Sequence, residues 1–448
     1  MANEVKAING IGIVDVQEFN GVENSTSAQN MEKLNSSTWE YGGTSVTNTI
    51  PKTTISEMSN NDDSFTYDAV YSKLKTLDDY RALVVWTGSS GGTGGKTFVR
   101  VARAASGGTT TSYGTAVKVL DTGYNATLGL DVDLITNNKA LVTARDEDNS
   151  NRGDAFVVTI SGTPATAVAV GSAATFEADA IGWSDAAADP FTADKYVIVY
   201  DNNVDVEIQA KVCTVSGTTP SFGSMATIAS DEPSVPATVF YPWIDADPFN
   251  TGRYLITYNW HSAGDFQQYL VIISVSGTTI TVGTPVNTQS GTSPQGGVWD
   301  KRTKNRIFCP TSDNNDSGKG KLTVCSVEDT VNGDGKTITV GGTLYTFHSG
   351  AGAEKAAAVT DYFIPNKISM FATRGSPEGV GNDVNAYTAP VTGLTLGTIT
   401  LEDEDFFTST EVGDNPSVAS SPANPGWFWY FGRGTQGYIR AGIMGGTY

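Results

Sequence analysis

The feature that most constrains this chain is an internal repeat. The stretch from Arg253 to Val286, RYLITYNWHSAGDFQQYLVIISVSGTTITVGTPV, has six relatives along the sequence. Tyr254 to Tyr258 carries apolar or β-branched residues at nearly every position and reads as a strand buried on both faces. A polar loop, NWHSAGDF, is expected to follow it, then a strand from Gln268 to Val275, a turn at Ser276-Gly277 and a strand from Thr278 to Val286. Ala237 to Asp245 in front of this meander reads as one more strand, so each unit has four.

Two markers count the units independently. A Lys, Arg or Gly precedes each buried strand, at Arg81, Lys139, Lys195, Arg253, Arg306, Lys367 and Gly426, with a mean spacing of about 57 residues. A turn follows each third strand, at Ser106-Gly107, Ser161-Gly162, Ser216-Gly217, Ser276-Gly277, Glu328-Asp329, Thr392-Gly393 and Gly445-Gly446. A fixed period with four antiparallel strands predicts an all-β fold, a seven-bladed β-propeller. Hairpin turns argue against a solenoid, and a unit of this length is too short for an independent sandwich core.

The ends predict how the ring closes. The seventh unit has strands at Trp427 to Phe431 and Gln436 to Met444 but no fourth strand after them. Gly42 to Ile55 resembles the outer strands of the other units. The propeller is therefore expected to span 39–448, with 39–56 serving as the outer strand of the last blade and hiding its edge. Residues 1–38 stand apart as an arm and linker. Val5 to Ile11 (VKAINGI) and Val16 to Val22 (VQEFNGV) repeat apolar ends around an Asn-Gly, which favours two-residue hairpins. Ile8, Ile11, Val16, Phe19 and Val22 are the expected assembly contacts of this β arm, and residues 23–38 read as a polar linker.

Composition excludes several classes of function. Against 48 acidic residues there are 28 Lys plus Arg, spread along the chain, and the net charge of −20 argues against nucleic acid as a partner. No apolar run approaches the roughly 20 residues of a membrane span. The first residues do not have the layout of a secretory signal. Three cysteines and two histidines are too few for a disulfide framework or a zinc site, and Cys309 and Cys325 are expected as a reduced pair in the core. No cofactor is expected, since neither a phosphate-binding Gly loop nor a nucleophile motif is found.

In a propeller the loops between second and third strands share one face, and here they are polar and variable, so that face is the candidate binding surface. Trp260, His261 and Phe266 could stack on sugar rings there, or simply pack over the blade edge. Asp146 and Asp148 in one loop, and Asp313 with Asn315 and Ser317 in another, imitate the opening of a calcium loop, but Val324 stands where the closing Glu belongs, so no metal site is assigned. Arg152-Gly153-Asp154 reads as a chance match to an adhesion tripeptide. Asp185, Asp245 and Asp300 follow Trp183, Trp243 and Trp299 on three successive first strands. Either these carboxylates gather in the channel as a glycosidase pair would, or the Trp side chains fill the space between blades and the Asp residues cap loops. The other blades lack a matching Glu or Arg, so no catalytic residue is assigned.

INGIGIVDV and EFNGVE in the arm, with outer strands written VSGTTITVGTPV, resemble structural proteins of tailed bacteriophages. That resemblance implies a non-enzymatic virion structural protein: an appendage, tail or capsid-decoration component held to other virion proteins through residues 1–38. It also implies multiple copies in an assembly, with a host-surface glycan or protein as the partner of the loop face. A virion location fits the absence of a signal sequence. The alternative is a secreted or cell-surface propeller that binds carbohydrate or hydrolyses glycosides.

Overall fold

The computed structural model describes most of the chain between 68 and 444, with short paired segments at 7–8, 11–12, 18–19, 22–23, 34–35, 38–39 and 56–57. Two compact units are present, residues 1–48 and residues 49–447.

In the larger unit each repeat becomes one antiparallel sheet. In the fourth, Thr238–Ala246, Arg253–Ser262, Asp265–Ser276 and Thr279–Val282 pair in chain order. The sheets that start with Asp68–Asp78, Leu128–Val132, Ile181–Ala188 and Ala356–Thr360 repeat this order. In the fifth, Thr292–Pro294 and Val298–Trp299 both pair with Arg306–Asp313. Ser417–Ser420, Phe428–Arg433 and Ile439–Met444 begin the last. Among the described residues there are seven such sheets, and their first strands touch one another in sequence until Ser417–Ser420 meets Asp68–Asp78. The unit is a β-propeller. Its last sheet is completed from the other end of the chain, where Ser56 and Glu57 pair with Ala441 and Arg440. The predicted closing segment Gly42 to Ile55 lies outside the described residues.

The continuous apolar character of the second strands follows from their position. Side chains alternate between the two faces of a strand, and in a blade both faces meet a neighbour. Tyr196, Ile198 and Tyr200 pack toward the second blade with Leu141 and Val157, whereas Val197 and Val199 pack toward the fourth with Ile256 and Val271. Leu255 looks the other way, toward Ile307 and Cys309 of the fifth. The three cysteines are free and buried, and the Cys309 thiol is raised well above its ordinary range by its contact with Cys325 and by burial.

The structure changes three sequence expectations here. The stretch NWHSAGDF is not a loop: the ladder runs on to Ser262 and resumes at Asp265, because backbone pairing does not depend on the polarity of the side chains. The outer strand is not continuous, since in most blades it splits at a glycine. Gly171 and Gly223 lie at the split, each donating its N–H to the third strand, and a Cβ there would stand 2.7 Å from the Thr218 carbonyl oxygen or 2.8 Å from that of Thr278. Only a residue without a Cβ lets the next blade approach that closely. In the fifth blade the turn is not confined to Glu328-Asp329, because Glu328 donates its N–H to Thr337 across a longer excursion.

The basic residue that marks each repeat has a structural task. Asp133, Asp189, Asp247 and Asp300 stand six residues before Lys139, Lys195, Arg253 and Arg306. Each Asp N–H donates to the carbonyl of that basic residue at 2.8–3.0 Å, and its carboxylate accepts the N–H two residues on, which folds the turn between first and second strands. In three of the four the basic side chain then reaches the following blade, whereas Lys195 stays with Asp189 of its own turn. Lys139 Nζ donates to Asp194 at 2.8 Å, Arg253 to Asn305, and Arg306 Nη2 to Asn366 at 3.1 Å. Arg253 also pairs with the fully buried Asp247 and lies 5.0 Å from the Trp299 ring centre. On this face the second blade is thereby latched to the third, the fourth to the fifth and the fifth to the sixth.

The smaller unit contains three hairpins among its described residues. Ile8 faces Ile11 around Asn9-Gly10, and Phe19 faces Val22 around Asn20-Gly21, as the sequence predicts. The third, Leu34–Asn35 with Thr38–Trp39, falls across the segment read as a linker. Val16 lies outside the described residues.

Removing one partner of a buried ion pair leaves the other charge uncompensated. Asp247→Ala is expected to cost about 3–5 kcal/mol, read as a shift of the urea midpoint. Lys304→Ala, which breaks the half-exposed pair with Asp329, should cost less than about 1 kcal/mol.

Candidate functional site

The loop-face residues chosen from the sequence do not form one site. Trp260 is half-buried against the core shared by the third and fourth blades, and His261 and Phe266 are paired opposite one another near the hairpin tip. Asp146 and Asp313 occupy equivalent places in two copies of one hairpin, each followed by a single 3-10 turn and a left-handed serine, Ser150 or Ser317. Both are buried, whereas Asp148 is exposed. Cationic side chains of the protein pair with these carboxylates: Lys321 Nζ is 2.6 Å from Asp313 and 2.9 Å from Asp316, and Arg152 lies between Asp146 and Asp154. Asp154 is fully buried in that pairing, so Arg152-Gly153-Asp154 is not displayed as a tripeptide.

The first strands hold a second group of charges. Asp131 accepts the N–H of Ala188 at 2.8 Å, Asp185 that of Ile244 at 3.3 Å, and Asp245 that of Trp299 at 2.8 Å. Each carboxylate thus reaches from its own blade to the first strand of the next, whose inner edge has no ladder partner. Three lysines balance them: Lys75 lies 3.4 Å from Asp131, Lys73 3.3 Å from Asp185, and Lys301 3.4 Å from Asp245. Lys73 spans from the first blade to the third. Burial pulls the Lys75 pKa down, but the carboxylates of Asp131, Asp245 and Asp185 outweigh it and hold the ammonium charged. Burial raises Asp131, and Lys75 offsets part of that rise.

The carboxylates thus divide in two. Asp185 and Asp245 do enter the channel group, with Asp131 rather than Asp300. Asp300 caps Arg302 and Thr303 and is held by Arg306 Nε at 2.7 Å. Trp299 is fully buried between blades and donates its indole N–H to the Asp245 carbonyl at 3.2 Å. Sequence reasoning missed Asp131, Lys73, Lys75 and Lys301. A signal for Asp131 was present, since Asp131-Val132-Asp133 and Asp245-Ala246-Asp247 pair a stitching Asp with a turn Asp at one place in two repeats.

Above this belt, toward the hairpin tips, lie Trp183, Tyr241 and Trp243, all half-buried. Trp183 and Tyr241 meet edge to face with ring centres 4.4 Å apart, and Tyr241 and Trp243 are 6.2 Å apart at 34°. Both first strands carry a bulge at this level, between Ile181 and Ser184 and between Phe240 and Trp243. Tyr241 sits at φ 54°, a left-handed conformation that is costly for a bulky side chain.

No protein-family model and no curated protein matches the chain. Among solved structures, a protein of unknown function from Dyadobacter fermentans is similar over 89% of this chain and all of its own, at 12% identity and a TM-score of 0.49. A Lactobacillus plantarum protein covers 82% of this chain and 95% of itself, at 12% identity and 0.47. The β-propeller domain of the Trilobed protease from Pyrococcus furiosus, which has an open velcro topology, is similar over 84% of this chain and 97% of its own, at 9% identity and a TM-score of 0.42.

Behind the aromatic group, Asp201 Oδ1 accepts the N–H of Gly182 at 2.7 Å and that of Trp183. Burial raises its pKa to about 7, against the opposing effect of these two donors and the Arg145 charge. Between the unfolded value near 4 and about 7, the folded chain holds a proton that the unfolded chain releases. Stability from Asp201 is therefore fullest below that window and falls as pH rises through it. Asp201→Asn should remove this slope: the wild-type advantage over the variant, measured as the difference in urea midpoints, should decline from pH about 4 to 7 and level off above.

Proposed function

We propose that this protein is a non-enzymatic structural component of a tailed-phage particle: an appendage, tail or capsid-decoration part in multiple copies. Residues 1–38 anchor it to other virion proteins, and the propeller is the rigid scaffold that meets the host surface. The construction of the arm carries this reading. Its hairpins at Ala7–Ile8 with Ile11–Gly12 and at Glu18–Phe19 with Val22–Glu23 each have strands of two residues. An isolated hairpin is marginal in water even when longer. Apolar ends repeated at Ile8, Ile11, Phe19 and Val22 gain their stability from a surface they bind. The phrases INGIGIVDV and EFNGVE, which resemble virion proteins, fall in the same segment.

The channel chemistry supports a scaffold more than a hydrolase. A retaining or inverting glycosidase needs one carboxylic acid and one carboxylate free to act on a bond between them. Here Asp131, Asp185 and Asp245 each hold a backbone N–H of the next blade and a lysine.

The test is co-sedimentation of the full chain, and of a chain lacking 1–38, with co-expressed capsid and tail proteins. The full chain should enter the assembly and the truncated one should remain in the supernatant with an unchanged melting temperature. Equal behaviour of the two, bound or free, would remove the arm as an anchor.

A further inference from the structure

We infer that Trp183, Tyr241 and Trp243, with Lys73 and Asp185 beneath them, form a binding site for a neutral saccharide residue. The rings come from the first strands of two adjacent blades, and each keeps part of its surface exposed. A pyranose ring presents an apolar face of C–H groups and a rim of hydroxyls, so its site needs aromatic surface beside polar groups in fixed positions. Both are present here. Asp185 stands two residues beyond Trp183 on one strand and accepts the N–H of Ile244, so its carboxylate lies at the backbone next to Trp243. Lys73 reaches the same carboxylate at 3.3 Å and is about a quarter exposed, at 27%.

Charge balance selects among ligands. A cage for a quaternary ammonium would join aromatic faces to an unbalanced carboxylate, but Lys73 neutralises Asp185, and Asp201 is buried and bonded to two backbone N–H groups. A neutral ligand with donor and acceptor hydroxyls fits the ammonium and the carboxylate together.

The backbone supplies the second observation. A β-bulge re-aims the side chains beside it, and two adjacent first strands carry one at this level. In one of them a tyrosine is held at φ 54°, where glycine would be unstrained. Strain of this kind persists where surrounding structure overrides it, and it concentrates at ligand sites. The site lies wholly within the unit spanning 49–447, so it stands even if the arm binds nothing.

The full chain should be titrated with soluble oligosaccharides of glucose, galactose and N-acetylglucosamine, followed by tryptophan fluorescence and calorimetry. Saturable binding of at least one is expected, weakened about tenfold or more by Trp183→Ala and by Tyr241→Gly. Tyr241→Gly relieves the strained φ but gives up the half-buried ring contacts, so each variant's melting temperature is measured beside its affinity and binding is compared well below both, where the variant is folded. Absence of saturable binding to all three, or equal affinity in the Tyr241→Gly protein, would overturn the assignment.

Discussion

The propeller depends on how each sheet covers the exposed edge of the next. A first strand pairs on one side only, and its other side presents N–H groups toward the channel. Asp131, Asp185 and Asp245 answer this by reaching across to Ala188, Ile244 and Trp299. Both faces of the second strands in the third and fourth blades are apolar, so such a blade with a neighbour on one side alone would leave half its core in water. Closing the ring removes that cost, and the pairing of Ser56–Glu57 with Ile439–Met444 brings the two ends of the unit into one sheet.

The two faces of the ring are built differently. On the face with the turns between first and second strands, Asp caps and basic side chains tie the second, fourth and fifth blades to the ones that follow them, and Arg253 with Asp247 is buried in that work. On the opposite face the ladder of the fourth blade runs out to a short tip, and the bulged first strands turn Trp183, Tyr241 and Trp243 together. A rigid latched base and a variable opposite face is an arrangement suited to recognition.

Much of the fold was legible along the chain, and the misreadings share a cause. Period, strand number and the Asn-Gly hairpins are local patterns, so Arg253 could mark a repeat before its role as a latch was visible. NWHSAGDF looked like a loop because its residues are polar, yet its backbone groups complete a ladder whatever the side chains are. The outer strand looked continuous because the reason for Gly171 and Gly223 lies in the next blade, at Thr218 and Thr278. The Trp-Asp pairs were seen, but three similar-looking carboxylates have two separate tasks: Asp300 caps a turn, whereas Asp185 and Asp245 stitch first strands.

The sequence by itself determined the repeat, the all-β class and the arm hairpins, because each rests on the spacing of apolar and turn residues within one segment. Only the tertiary structure decided which charges meet and which rings stand together. Lys73 and Asp185 belong to the first and third blades, and Trp183 and Tyr241 to the third and fourth. Their proximity is a property of the closed ring, and no local pattern in the chain encodes it.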